Sequence, residues 1–242
     1  MVSQLSIGNS PALISIIIPA LNEAEAFMGG PGLSLQALRQ RWPAERLEII
    51  TVDADSRDQT RLLAAQFSDQ VIIAPPESRG RSRQMNLGAA AATGELLVFL
   101  HADTELEGDL GSLEQLLAPE IPWGRCRVRL TGSRRIFRLV ETMMEWRSRL
   151  SGVCTGDQVF VVRRAVFEKL GGFQPIPLME DVEFSKRLRR LAWPKRLPLI
   201  AQTSSRRWER HGAWRTILLM WRLRLAYFLG ASPETLARQY GR

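Results

Sequence analysis

The chain has 242 residues, 45% hydrophobic and 24% charged, with a formal net charge of +8. That length suits one α/β domain, or one domain with an appendage, and two isolated cysteines, Cys126 and Cys154, are too few for a disulfide framework or a structural zinc site. The charge is uneven: residues 1–120 carry 8 basic and 16 acidic residues, a net −8, whereas residues 121–242 carry 25 and 9, a net +16. Thirty of the 33 basic residues are arginine, through coding bias or because a planar guanidinium suits phosphate. A positive half points to phosphorylated ligands or an anionic membrane surface.

No basic segment followed by an apolar stretch opens the chain, so no secretory signal is expected, and reduced cysteines fit a cytoplasmic protein. Short apolar runs at 14–19, 47–52, 71–74 and 95–100 read as strands. The segments 32–41, 57–67 and 82–93 between them place apolar residues at helical spacing. This alternation predicts βαβ units and a mainly parallel sheet. Ser56 and Gln59 have the spacing of a capping box for the second of these helices. Further along, 108–117 reads as a helix, 123–130 as a strand with alternating basic side chains, and 135–150 as a helix. A strand over 158–164, helices over 164–173 and 181–191, a loop over 204–212 and helices over 213–230 and 232–240 complete the reading. No run is long and apolar enough to span a bilayer, so any membrane contact is expected to be peripheral.

Three acidic stations stand out: Asp53 in LEIITVDADS, Asp103 in ELLVFLHADT, and Glu180-Asp181 in PLMEDVEFSK. An apolar run that stops at a carboxylate places it at the carboxyl edge of a parallel sheet, where open α/β folds bind ligands. Arg79, Arg81 and Arg83 surround Gly80 at a helix start, a combination that can hold a diphosphate. Taken alone, Asp53 reads equally as a helix cap, Asp157 as a turn residue and Glu180-Asp181 as an acidic pair balancing a helix dipole. The 213–230 helix puts Trp214, Leu218, Trp221 and Leu225 on one face beside Arg215, Arg222 and Arg224. That face suits a membrane interface or packing onto the domain.

The ordered series SIIIPALNEAEAF, VDADSRDQT, GRSRQMNLGAAAATGELLVFLHADT, GDQVFVVRRAVFEKLGGF and MEDVEFSKRLRR, running from Ile14 to Trp208, resembles the family-2 inverting glycosyltransferases of GT-A fold. It is most similar to a bacterial branch with His-Ala-Asp-Thr in place of Asp-x-Asp-Asp. The resemblance implies an α/β GT-A fold: a Rossmann-like, mainly parallel sheet flanked by helices, with a helical C-terminal extension. Residues 1–208 would form the glycosyltransferase domain, with a nucleotide-binding half over 14–104 and an acceptor half over 121–208, followed by the extension over 209–242.

By the same resemblance, Pro19, Asn22, Glu23, Asp53, Asp55, Arg83, Asn86 and Ala102 would bind the donor, and Asp103 a divalent cation, manganese or magnesium. Asp181 would be the general base with Glu180 beside it, Asp157, Gln158 and Trp208 would meet the acceptor, and Arg207 would clamp the leaving diphosphate. The implied activity is transfer of one sugar from a nucleotide diphosphate donor, uridine-linked, to an acceptor hydroxyl with inversion. The basic half and aromatic C-terminal helix favour a lipid or isoprenoid acceptor at the cytoplasmic face of the membrane; no nucleic-acid partner is expected. The alternatives are a sugar nucleotidyltransferase, whose glycine-rich phosphate loop PALNEAEAF lacks, and an inactive basic module that binds anionic lipid or nucleic acid.

Overall fold

The computed structural model describes residues 14–28, 35–42, 45–109, 113 and 121–240. Its centre is an eight-stranded sheet in the order β3-β2-β1-β4-β7-β6-β8-β5. β1 (Ile14–Ala20) and β2 (Leu47–Asp53) are almost continuously apolar because helices cover both faces of the sheet at this point. With β3 (Gln70–Ile73) and β4 (Leu96–Phe99) they form the parallel half. The helices α1 (Ala24–Phe27), α2 (Leu35–Arg41), α3 (Thr60–Phe67) and α4 (Arg81–Ala91) lie between these strands in the chain.

The other half is mixed. β6 (Trp123–Leu130) pairs antiparallel with β7 (Phe160–Arg163) and parallel with β8 (Lys195–Thr203), and β5 (Thr104–Glu107) closes the edge antiparallel to β8. The 123–130 strand has its predicted bounds, and the predicted 135–150 helix is observed as α5 (Arg135–Ser151). The predicted helix at 108–117 lies largely outside the described residues. Neither β5 nor β8 is expected from the sequence. Pro198 argues against a strand reading for KRLPLIAQT, yet Leu197, Leu199, Ala201 and Thr203 alternate inward. β5 holds a single apolar residue, Leu106.

The loop expected at 204–212 is also corrected, since Arg206–His211 form a short helix, α8. The Ser56/Gln59 capping box does not form. α3 starts without a side-chain cap, and Ser56 Oγ instead donates to Asp53 and accepts from the Asn22 N–H.

Two cores sandwich the sheet. On one side Ile16, Ile18, Leu47 and Ile49 meet Leu35, Leu38 and Trp42. On the other, α4 approaches closely at Gly88, where a Cβ would press on Ile17 and Val52. Beyond it Phe99, Phe160, Phe167 and Phe173 gather around Phe184 of α7 (Glu180–Leu188), with Phe173 and Phe184 ring centres 4.5 Å apart. α6 (Arg164–Lys169) supplies Phe167. At the C-terminus, α9 (Ala213–Phe228) and α10 (Pro233–Tyr240) bury Leu223 and Leu236 against Met179 and Val182, at the start of α7. The helix that begins with Glu180-Asp181 is thus anchored on one side by the aromatic core and on the other by the C-terminal helices.

Candidate active site

The carboxyl ends of β1, β2 and β4 deliver three loops to one edge of the sheet. The first two are zipped together by backbone-to-side-chain hydrogen bonds. Asn22 N–H donates to Ser56 Oγ at 2.8 Å, Glu23 N–H to Thr60 Oγ1 at 2.8 Å and Ala24 N–H to Asp58 Oδ2 at 3.1 Å, while Asn22 Oδ1 accepts from Arg57 N–H. From α4, the buried Gln84 amide donates to the Ala20 and Val52 carbonyls at 3.0 and 2.8 Å, tying the two strand ends together.

Asp53 is fully buried and accepts from the Asp55 and Ser56 amides, Ser56 Oγ and Arg61 Nε. Its carboxylate therefore works as the keystone of this loop. Asp55 is half exposed, adopts a left-handed backbone at φ 69°, and pairs with Arg61 and Arg79. Pro19 is partly exposed at the end of β1, and Asn22 is exposed in the turn after it.

Beyond β4, His101 and Ala102 are buried and Asp103 is partly exposed. Asp103 Oδ1 accepts from Thr104 Oγ1 at 3.1 Å, and its carbonyl accepts from Ser204 N–H at 3.0 Å, so β8 braces the turn. The His101 ring lies on Gly156, where a Cβ would overlap it, with Nδ1 3.8 Å from Asp157 Oδ1. Burial, and then the nearby Arg81 charge, push the His101 pKa down to about 3. The ring is neutral at physiological pH, and its approach to Asp157 is no ion pair.

Asp181 Oδ2 accepts from Gly156 N–H at 3.0 Å, joining the start of α7 to the short 3₁₀ turn Gly156–Gln158. Preceding it, Met179 is 4% exposed in a left-handed conformation at φ 70°. Such a backbone costs of order 1–3 kcal/mol in a residue other than glycine and persists only where the surroundings fix it. Here Leu223 and Leu236 supply that packing, so the C-terminal helices help aim Glu180 and Asp181. A small cavity with room for about one water, about 10 Å³, lies among Met85, Phe99, His101, Gly156, Glu180 and Asp181.

Carboxylates crowd this edge. Burial first, then Asp103, raises the Glu23 pKa, and Asp157 is pushed up to about 6 by burial and by Asp103. Asp157 keeps 44% of its side-chain surface exposed, so solvent screens part of that effect. Glu180, 6% exposed, is pushed up to about 7 by burial and then by Asp181. For a carboxyl raised this way the folded chain holds the proton more tightly than the unfolded chain. Glu180 therefore weakens the fold as pH rises from the ordinary glutamate range through about 7. Glu180→Gln is expected to raise the melting temperature near pH 8 and leave it unchanged near pH 5. An equal effect at both values would contradict the assignment.

Arg81, exposed at the first turn of α4, is a cation amid this group. It feels the charges of Glu180, Asp157 and Asp103, and its pKa is raised despite the desolvation that opposes it. The sequence marked the Arg-Gly-Arg-Ser-Arg cluster but favoured Arg83, which is exposed two residues further along. The Asn86 amide is engaged within the protein, donating to the Phe173 carbonyl at 2.7 Å and accepting from Phe173 N–H at 2.9 Å.

Gln158 is likewise buried, its Oε1 accepting from Ser148 Oγ, Arg147 and Thr155 N–H. Arg147, unremarked in the sequence, thereby lies behind the site, close enough for Asp181 to act on its charge. Trp208 leans on the cluster of Val128, Phe137 and Ile217. The Arg207 side chain lies outside the described residues; its neighbour Arg206 reaches Glu25 at 2.9 Å and also acts on Glu23.

Because Gly156 carries the Asp181 contact and touches His101, Gly156→Ala must displace one of them. A shift of about 1 Å at a reacting group costs on the order of a hundredfold in rate, and we expect that loss in turnover with donor affinity largely kept. Wild-type turnover in a folded Gly156→Ala protein would show that this contact positions nothing.

A model of glycosyl transferase family 2 matches residues 15–120, which include the β1, β2 and β4 loops. This part of the chain is thus similar to glycosyltransferase family 2. The GT-A fold of the chain aligns with that of the Pyrobaculum calidifontis mannosyltransferase PcManGT, solved with GDP-Man and Mn2+. The TM-score is 0.63 at 18% identity, over 90% of this chain and 62% of that one. Among curated relatives, the probable glycosyltransferase YdaM of Bacillus subtilis is 28% identical over 204 residues, covering 74% of this chain and 47% of YdaM. The human dolichyl-phosphate beta-glucosyltransferase is 31% identical over 140 residues, covering 53% of this chain and 43% of that protein. The chain thus spans less than half the length of these two relatives.

Proposed function

We propose that this chain moves a single sugar from a nucleoside diphosphate donor, uridine-linked, to an acceptor hydroxyl with inversion at the anomeric carbon. The observation that carries this reading is the placement of Asp181. Its carboxylate is held by Gly156 N–H at the edge of the sheet where His101, Asp103 and Asp157 converge. A base so held can take the acceptor proton while the leaving diphosphate departs on the other side of the sugar.

The donor would lie over the zipped loops, against Pro19, Asn22, Glu23 and Asp55, with Asp53 holding their shape and Ala102 offering backbone groups. Arg83 would lie at the rim of this region. Arg81 is the guanidinium best placed for the diphosphate, with Arg207 as a second clamp, while Asp157, Glu180 and Trp208 face the acceptor side. Asn86 and Gln158 act by holding the 173 and 155–158 backbones.

The residues fit a divalent cation. Asp103 is a hard oxygen ligand, and the pKa values of Glu23 and Asp157 are raised first by burial and then by the Asp103 charge, which a cation would offset. Among the described residues no three His, Cys, Asp or Glu side chains group closely enough to hold a metal alone. Asp103 would therefore share the cation, manganese or magnesium, with donor phosphates. Bound there, it would supply charge that offsets the leaving diphosphate.

A lipid acceptor agrees with the dolichyl phosphate named for the human relative and with the exposed aromatic face of α9, which would bring the chain to a membrane, in our reading its cytoplasmic face. Residues 1–208 would bind donor and acceptor, and the 209–242 extension would orient the base and meet the membrane.

A thermal-shift screen of UDP-glucose, UDP-N-acetylglucosamine and GDP-mannose, each with and without manganese, tests the donor reading, because a ligand of the folded state raises its apparent stability. We expect a uridine-linked donor to stabilise the chain only with the cation. Stabilisation by GDP-mannose alone would correct the base. No shift with any donor, together with salt-sensitive RNA binding, would overturn the enzyme reading.

A further inference from the structure

The two faces of α9 differ sharply. One face buries Leu223, with Leu219, Ala226 and Tyr227 partly buried, against the start of α7 and α10. The opposite face presents Trp214, Leu218, Trp221, Leu225 and Phe228, each between 58% and 77% exposed. These five recur at intervals of three and four residues, so they form one continuous stripe about 21 Å long. Arg215 and Arg222, both exposed, run along one flank of the stripe, and Arg224 lies toward the other. From Ala213 to Phe228 the helix has no acidic residue.

A neighbouring helix repeats the pattern. α5 meets α9 in the cluster of Phe137, Val140 and Ile217. On its outer side it exposes Leu139, Trp146 and Leu150 at 45%, 56% and 73%, with Arg149 5.6 Å over the Trp146 ring.

We propose that the outer face of α9, extended by the α5 stripe, docks on an anionic lipid bilayer. Charge complementarity selects this occupant. Tryptophan suits the boundary between acyl chains and headgroups, and the flanking guanidiniums meet lipid phosphates there. A second copy of the chain packed on the same face would bring the arginines of two α9 helices together with no carboxylate on either helix to pair them. Docking is superficial, since no helix among the described residues is long and apolar enough to cross a membrane.

This proposal deepens the lipid-acceptor reading and rests on it for its functional meaning. The inner face of α9 holds Met179, next to Glu180 and Asp181. The bilayer surface would therefore lie about one helix diameter, roughly 10–12 Å, from the helix that carries the base. That separation suits an acceptor whose apolar part stays in the membrane while its hydroxyl enters the site.

The test is flotation of the full chain with vesicles of phosphatidylcholine alone or mixed with phosphatidylglycerol, without any donor. We expect flotation only with the anionic vesicles, weakened by salt. It should be lost in Trp214→Glu/Trp221→Glu and reduced at least about tenfold in Arg215→Gln/Arg222→Gln, with Trp146→Glu giving a smaller loss. Melting temperature and UDP-plus-manganese binding are measured on each preparation. If the tryptophan variant unfolds, the arginine variant, which removes no packing, decides.

Failure of the wild type to float, equal flotation by a folded arginine variant, or a dimer abolished by the tryptophan substitutions would each overturn the proposal. Vesicle binding without donor binding would leave the surface standing and remove the enzyme reading. Donor binding without vesicle binding would do the reverse.

Discussion

Asp181→Asn is expected to lower sugar transfer by roughly a hundred- to ten-thousandfold, the range associated with losing a general base. An amide nearly preserves the shape of the carboxylate and can still accept from Gly156 N–H, but it cannot take the acceptor proton. Donor affinity should survive, because the donor loops are joined by their own hydrogen bonds around Asp53, Ser56 and Asp58. The substitution also removes a charge from the first turn of α7, which costs under about 1 kcal/mol, too little to unfold a domain of this size. Transfer rate, donor affinity and melting temperature measured on one preparation separate these effects. Normal transfer by a folded Asp181→Asn protein would move the search to Glu180 or Asp157.

Asp103→Ala should abolish cation-dependent donor binding. No other carboxylate at this edge belongs to the turn after β4, and a site made of one side chain plus phosphates cannot spare that side chain. Calorimetry with uridine diphosphate, with and without manganese, measures the effect; unchanged cation-dependent affinity would refute the assignment. His101→Ala is expected to do less. The imidazole is buried, neutral and packed against Gly156, which makes it a wall of the site more than a ligand. An equal loss in His101→Ala would make the imidazole a ligand after all.

The sequence made the parallel half of the sheet legible because β1, β2 and β4 are covered on both faces and so appear as mostly apolar runs, two of them ending at Asp53 or just before His101. β8 escaped because one of its faces is exposed and Pro198 interrupts the pattern, although the sheet accommodates proline where a backbone donor is not required. The same contrast governs the site. Asp103 and Asp181 can be found from where they stand along the chain, at a strand end and a helix start.

Other roles depend on contacts distant in sequence. Asn86 pairs with Phe173, Gln158 with Ser148, and Met179 with Leu236, and a local reading has no access to these pairs. Arg81 and Arg83 are equivalent in composition, but two residues of α4 turn their side chains about 200° apart, and Arg81 is the one that feels the charges of Glu180, Asp157 and Asp103. In the C-terminal helix α9, Leu223 packs on the domain while the tryptophan stripe on its other face stays exposed.

Inverting transfer from a nucleotide sugar by a base at Asp181 can be tested before the acceptor is known. Water that takes the place of the acceptor would be activated by the same base, on the same face of the sugar. Real-time proton NMR of an α-linked uridine diphosphate sugar, incubated with the chain and manganese, reports which anomer is released before it equilibrates. The β anomer should appear first, and Asp181→Asn should suppress it. Release of the α anomer first, or hydrolysis that persists unchanged in a folded Asp181→Asn protein, would contradict the account.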